Sequence, residues 1–152
     1  MGVHYHEVCY DTSACMVGDI RNMCGSFVWA LNGHEAVWGQ FDIIHGHDWL
    51  AGPAMQQLKG EGRQVVFTMH STEGGRNGDM GKGHPGIKEI ERDACGAADQ
   101  LICVSGVLKE EVCNFCGADG GKISTIYNGI HALPIMKMEW QEEWTGNTKA
   151  DK

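Results

Sequence analysis

In the run Phe41-Asp42-Ile43-Ile44-His45-Gly46-His47-Asp48-Trp49-Leu50, a short apolar strand leads straight into two histidines and an aspartate. Imidazole is the side chain whose ordinary proton affinity lies near neutral pH, so it can donate, accept or ligate under mild conditions. The carboxyl end of a strand is where open α/β sheets bind ligands, because the loops diverge there and leave a crevice. A second apolar run, Val65-Val66-Phe67-Thr68-Met69, also ends in a histidine, His70. Neighbouring strands lie roughly 4.8 Å apart, so if these two pair, His47 and His70 reach one ligand.

The residues after His70 add charge. Ser71-Thr72-Glu73-Gly74-Gly75-Arg76-Asn77-Gly78 sets a carboxylate and a guanidinium among glycines that let backbone approach a ligand. Arg76 can clamp a phosphate or pair with Glu73. The segment lacks the Gly-Lys-Ser/Thr ending of a phosphate-binding P-loop. His45-Gly46-His47-Asp48 also has the alternation with which some hydrolases grip zinc or iron, with His34, His70, His84 and His131 available to complete a set. Trp49-Leu50 stand where a metallo-beta-lactamase would continue with a further Asp-His pair. Cys113-Asn114-Phe115-Cys116 has no second cysteine pair to complete a four-thiolate site and falls near a helix end, so it reads as two small helix residues.

The elements that must position these groups follow from hydrophobic period. Residues 19–31 carry Ile20, Met23, Cys24, Phe27, Val28 and Leu31 at three- and four-residue intervals, which predicts an amphipathic helix. Strands are expected over 3–9, 41–45, 65–69, 100–104 and 122–127. Further helices are expected over 49–59, 87–98 and 108–115, with Pro53 in the first turn of its helix. A loop with glycines at 74, 75, 78, 81 and 83 fills 71–85, with Gly86 following Pro85. Strand and helix alternate, the pattern of an α/β domain with a mostly parallel sheet. After Asn128-Gly129 the pattern stops, so 1–131 is expected to be one domain and 132–152 a linker or tail.

The 152 residues suit one core, and 42% hydrophobic content is that of a globular chain. A formal charge of -8 offers no basic stripe for a nucleic-acid backbone. No apolar run approaches the roughly 18 residues of a membrane span, and 1–10 lack a signal peptide's apolar stretch, so a cytoplasmic location is expected. Seven scattered cysteines read as reduced core thiols.

Four motifs, His45-Gly46-His47-Asp48-Trp49-Leu50-Ala51-Gly52-Pro53-Ala54, Thr68-Met69-His70-Ser71-Thr72-Glu73-Gly74-Gly75-Arg76-Asn77-Gly78, Ala98-Asp99-Gln100-Leu101-Ile102-Cys103-Val104-Ser105 and Lys122-Ile123-Ser124-Thr125-Ile126-Tyr127-Asn128-Gly129-Ile130, occur in one order and spacing. Together they resemble the N-terminal, acceptor-side half of glycogen-synthase-like retaining glycosyltransferases, over roughly residues 1–131. The resemblance implies a Rossmann-like three-layer domain, one half of a GT-B architecture whose two domains face a cleft. It implies that His47 lies against the transferred sugar, that Asp48 orients His47 or the loop, and that His70, Glu73, Arg76 and Asn77 are substrate contacts. The implied reaction carries glucose from a nucleoside-diphosphate sugar to an α-glucan with retention. It needs no metal or other cofactor, because the departing diphosphate helps deprotonate the acceptor while the protein positions and stabilises charge.

The family's glycine-rich loop after its first strand is missing from the sequence. So is its second domain, with an Arg/Lys pair for the diphosphate and paired glutamates for the donor sugar. The chain alone is therefore expected to lack transferase activity, and to work with a donor-binding domain. A missing strand and helix would leave a sheet edge or apolar face open, so self-association is expected, and a monodisperse monomer by light scattering would count against it. The competing readings are a non-catalytic glucan-binding or regulatory partner of a separate donor-binding chain, and a small metal-dependent hydrolase.

Overall fold

The computed structural model describes residues 3–129. The order of elements is α1 (Met16–Trp38), β1 (Ile44–His47), α2 (Asp48–Gly60), β2 (Val65–Met69), α3 (Glu73–Arg76), α4 (Pro85–Ala97), β3 (Gln100–Cys103), α5 (Gly106–Cys116) and β4 (Ile123–Thr125). The strands form one parallel sheet in the order β1-β2-β3-β4, with Ile44 opposite Val65, Val66 opposite Gln100 and Leu101 opposite Ile123. This is the α/β, Rossmann-like arrangement expected of half a GT-B molecule.

Parallel strands laid down one beside the next need crossovers of one hand, which places the connecting helices on one side. There α2 packs on β1 and β2, α4 on β2, and α5 on β3 and β4. The sheet's contribution to this core is Ile44, Val65, Phe67, Met69, Leu101, Cys103 and Ile123, all buried. The alternate residues lie on the other face, where His45, His47, Gln100 and Ser124 are exposed and Val66 and Ile102 half-buried. The described residues thus supply the sheet and one helical layer, and the chemistry-bearing histidines stand on the open side.

Two glycines set how closely the layers approach. A Cβ on Gly46 would meet Met55 at 2.6 Å, and one on Gly52 would meet the Ile90 Cγ2 methyl at 2.5 Å. Gly46 therefore lets α2 lie directly against β1, and Gly52 lets α2 and α4 touch. Local signals end the helices: the Ser105 hydroxyl accepts from Leu108 N at the start of α5, and Gly117 closes it at φ 69°.

Several boundaries differ from the expected ones, each for a tertiary reason. Residues 3–9 form no strand: Val3 and Tyr5 are almost wholly exposed, and the segment passes α1, where the His6 and His34 rings lie 4.0 Å apart. Too few apolar side chains there find burial to repay ordering as a strand. Helix α1 runs on to Trp38 because Glu35, buried near its end, pairs with Arg63 and accepts from Phe41 N at 3.0 Å. That contact takes Phe41 out of the strand, and pairing begins only at Ile44. Helix α2 starts at Asp48, so Pro53 is its sixth residue rather than part of its first turn, and the Trp49 carbonyl loses an i→i+4 donor. The loop over 71–85 contains the short helix α3, and the last strand is only Ile123–Thr125 after a 3-10 turn at Gly120–Lys122. The linker expected at 132–152 lies outside the described residues.

All seven cysteines are free, with Cys24, Cys95 and Cys103 buried and Cys113 and Cys116 half-buried against the core, whereas Cys9 and Cys15 are exposed and so are not core thiols. Among the described residues no helix is long and apolar enough to cross a membrane. Strand β1 is an edge of the sheet. Beside it a crevice of about 430 Å3 is lined by Met23, Phe27, Leu31, Leu50 and Met55 among others, and Phe41 and Ile43 are exposed close by in sequence. These are the surfaces on which the expectation of self-association rests.

Candidate active site

β1 and β2 are neighbours, and His47 stands opposite Thr68 in the register. His45 and His47, two residues apart, share the open face of β1 as strand alternation requires. Their rings stack with centroids 4.4 Å apart. His45 Nε2 lies 2.7 Å from Thr68 Oγ1, which fixes that ring to β2. His47 Nδ1 lies 3.1 Å from His70 Nε2, and those two rings are nearly parallel. Three imidazoles therefore run in a row along the carboxyl edge of the first two strands. Burial, and next the neighbouring His47, hold the His45 imidazole below its ordinary proton affinity.

Asp48 joins this row through the backbone. It is the one non-glycine residue among those described with positive φ, at 55°. Aspartate tolerates this region better than most residues. The bend turns its carboxylate toward the next strand, where Oδ1 accepts from His70 N at 3.1 Å. Of the two roles the resemblance implied for Asp48, the geometry is that of holding the loop. His47 itself is the N-cap residue of α2 in extended conformation, and its side chain makes no cap hydrogen bond but turns Nδ1 to His70.

Glu73, Arg76 and Asn77 form a separate cluster. The Glu73 carboxylate accepts from His84 N at 2.8 Å, from Asn77 Nδ2 at 3.2 Å and from Arg76 Nη2 at 3.0 Å. Arg76 also donates to Glu91 Oε1 at 3.0 Å and to Ser71 Oγ at 2.7 Å. Glu91 accepts in addition from Glu73 N at 2.7 Å. The Thr72 hydroxyl caps α3 by accepting from Gly75 N and donates to Glu111 Oε2 at 2.8 Å. Glu73, Arg76 and Asn77 thus hydrogen-bond with one another and with their neighbours, which shapes the loop that carries His70. The backbone donor of His84, then Arg76, lowers the Glu73 proton affinity, whereas burial raises that of Glu91.

Sequence reasoning passed over Glu91, Thr68 and Glu111. Glu91 had a signal: it lies in the apolar stripe Ile87, Ile90, Ala94 of α4, and a carboxylate there demands a buried partner. Thr68 and Glu111 had none, because their partners depend on strand register and on the docking of α5.

Among the described residues no group of three or more His, Cys, Asp and Glu side chains is arranged to hold a metal ion, so the metal-hydrolase reading gains no support. His131 lies outside the described residues. A row of imidazoles at a strand's carboxyl edge, braced by a hydrogen-bonded loop, suits gripping a polar substrate in a cleft.

The sequence comparisons agree with that class. Residues 18–132 match the model of Glycosyltransferase Family 4, and the chain belongs to this family. An uncharacterized glycosyltransferase of Methanocaldococcus jannaschii is 35% identical over 107 residues, 68% of this chain and 27% of the relative. A D-inositol 3-phosphate glycosyltransferase of Thermobifida fusca is 30% identical over 101 residues, 63% of this chain and 23% of the relative. A D-inositol 3-phosphate glycosyltransferase 2 of Catenulispora acidiphila is 30% identical over 97 residues, 60% of this chain and 23% of the relative. The chain spans about a quarter of the length of these curated relatives.

Proposed function

We propose that this chain is the acceptor-side part of a retaining glycosyltransferase that moves glucose from a nucleoside-diphosphate sugar to a hydroxyl of an α-glucan. The observation that carries the reading is the placement of His47 at the carboxyl end of β1, with its ring held from behind by His45 and His70. One imidazole edge is left to meet a sugar. In this reading His47 touches the transferred sugar, and Asp48 and His70 shape its surroundings. Glu73, Arg76 and Asn77 hold the loop, whose glycines Gly75 and Gly78 are exposed. No cofactor is assigned, and the donor is recognised by a donor-binding domain acting with this one.

The names of several relatives favour a second acceptor, an inositol phosphate. A phosphate calls for a cation, and the guanidinium in the His70–Gly78 loop is already shared by Glu73 and Glu91. That favours the uncharged hydroxyls of a glucan.

The test titrates the isotope-labelled chain with a maltooligosaccharide and, separately, with inositol 3-phosphate. Shifts at His47, His70 and Gly75–Gly78 with the oligosaccharide alone are expected. Shifts there with inositol 3-phosphate alone would replace the acceptor, and no response to either would sink the reading. With a nucleoside-diphosphate glucose and glucan, the chain alone is expected to release no nucleoside diphosphate. Release that His47→Ala abolishes would overturn the need for a donor-binding domain.

A further inference from the structure

We propose that His70 is a positioning residue that fixes the tautomer and ring orientation of His47, rather than a substrate contact. The role in sugar transfer rests on the proposed function, while the geometry stands without it. His47 Nδ1 and His70 Nε2 are 3.1 Å apart, and a hydrogen bond between two imidazole nitrogens holds one proton. If that proton belongs to His47 Nδ1, the Nε2 of His47 is a lone pair and accepts from a sugar hydroxyl. If it belongs to His70 Nε2, His47 carries its own proton on Nε2 and donates. Whichever side holds the proton, His70 decides what His47 offers to the substrate.

The rest of the site keeps His70 in that place. Its backbone N–H is tied to Asp48 Oδ1, so the residue after His47 fixes the residue that contacts His47. On the far side the His45 ring stacks on His47 and is anchored to Thr68, which blocks rotation away from His70. The titratable groups facing the pair are His45 and Asp48. Both rings of the pair cannot be fully protonated with the bond intact, because both nitrogens would then be donors.

The experiment is long-range proton–nitrogen correlation of the imidazoles in the intact 152-residue chain at neutral pH. The wild-type His47 ring is expected to show one protonated and one unprotonated nitrogen at separate limiting shifts. His70→Ala is expected to collapse them toward the averaged shifts of a free, tautomerising imidazole, and His70→Gln, whose amide can take either role in the bond, to restore them. Averaged shifts already in the wild type would overturn the proposal without any variant. Unchanged shifts in a folded His70→Ala chain would overturn it as well. If His70→Ala does not fold, the wild-type shifts and His70→Gln decide. A fixed tautomer that no maltooligosaccharide perturbs would leave the positioning role standing and remove the functional reading instead.

Discussion

Glu91→Ala is expected to lower the unfolding free energy by about 3 kcal/mol, read as a lower urea midpoint at unchanged slope. Glu91 is only 2% exposed and is the meeting point of α4 with the His70 loop. It accepts from the buried Glu73 N–H and from Arg76. Alanine removes the Oε1 that accepts from both, leaving one buried donor without a partner and a guanidinium that keeps only Glu73 and Ser71. Because Arg76 is about one-third exposed, water recovers part of its loss, and the effect is smaller than for a wholly buried ion pair. Glu91→Gln keeps an acceptor in the same place and is expected to cost about 1 kcal/mol.

The pH dependence separates the two carboxylates. The Glu73 proton affinity is lowered by folding, so its stabilisation is present above the unfolded value of 4.5 and is lost as pH falls through the folded one. For Glu91, raised by burial, the contribution is full below 4.5 and is lost as pH rises through its folded value. In the wild type the two oppose each other on acidification. Glu91→Gln removes only the second, so between pH 4.5 and the folded value of Glu91 its stability lacks the gain that the wild type shows as pH falls, while below 4.5 the two curves run parallel. Curves that stay parallel above pH 4.5 as well would show that Glu91 is not linked to folding in this way.

How far the sequence reached is clearest at β2. Val65-Val66-Phe67-Thr68-Met69 is nearly uninterrupted and apolar, as a strand flanked by strands on both sides must be, and the structure places it between β1 and β3. The pairing that brings His47 and His70 together followed from that run and the matching strand end at His47. The end of α1 was not legible, because it depends on Glu35 meeting Arg63 across 28 residues. Nor was the direction of Glu73 and Arg76. A glycine-flanked charged loop reads the same whether its charges face a ligand or each other, and only the docking of Glu91 on α4 turns them inward. For Asp48 the resemblance leaves open whether it orients His47 or the loop, and its backbone at positive φ is what aims it at the loop. Local sequence thus indicated which residues gather at the rim, while tertiary contacts decided which are free.

Provided with a donor-binding domain from a member of its family, the chain is expected to lose about a hundredfold or more in kcat on His47→Ala. The donor KM should change little, because in the proposed reading the donor's nucleotide and diphosphate are held by the other domain. His47 acts in the proposed reading where charge develops on the sugar, so its loss falls on the transition state more than on ground-state binding. The exposed ring stands at the end of β1 with His45 and His70 behind it, so alanine removes the contact without opening the core. Stability by urea should then match the wild type within about 0.5 kcal/mol, as for an exposed position. A fall in kcat with unchanged stability makes His47 a group of the reacting centre. A fall in both makes it a brace for the strand end, and unchanged kcat removes it from the site.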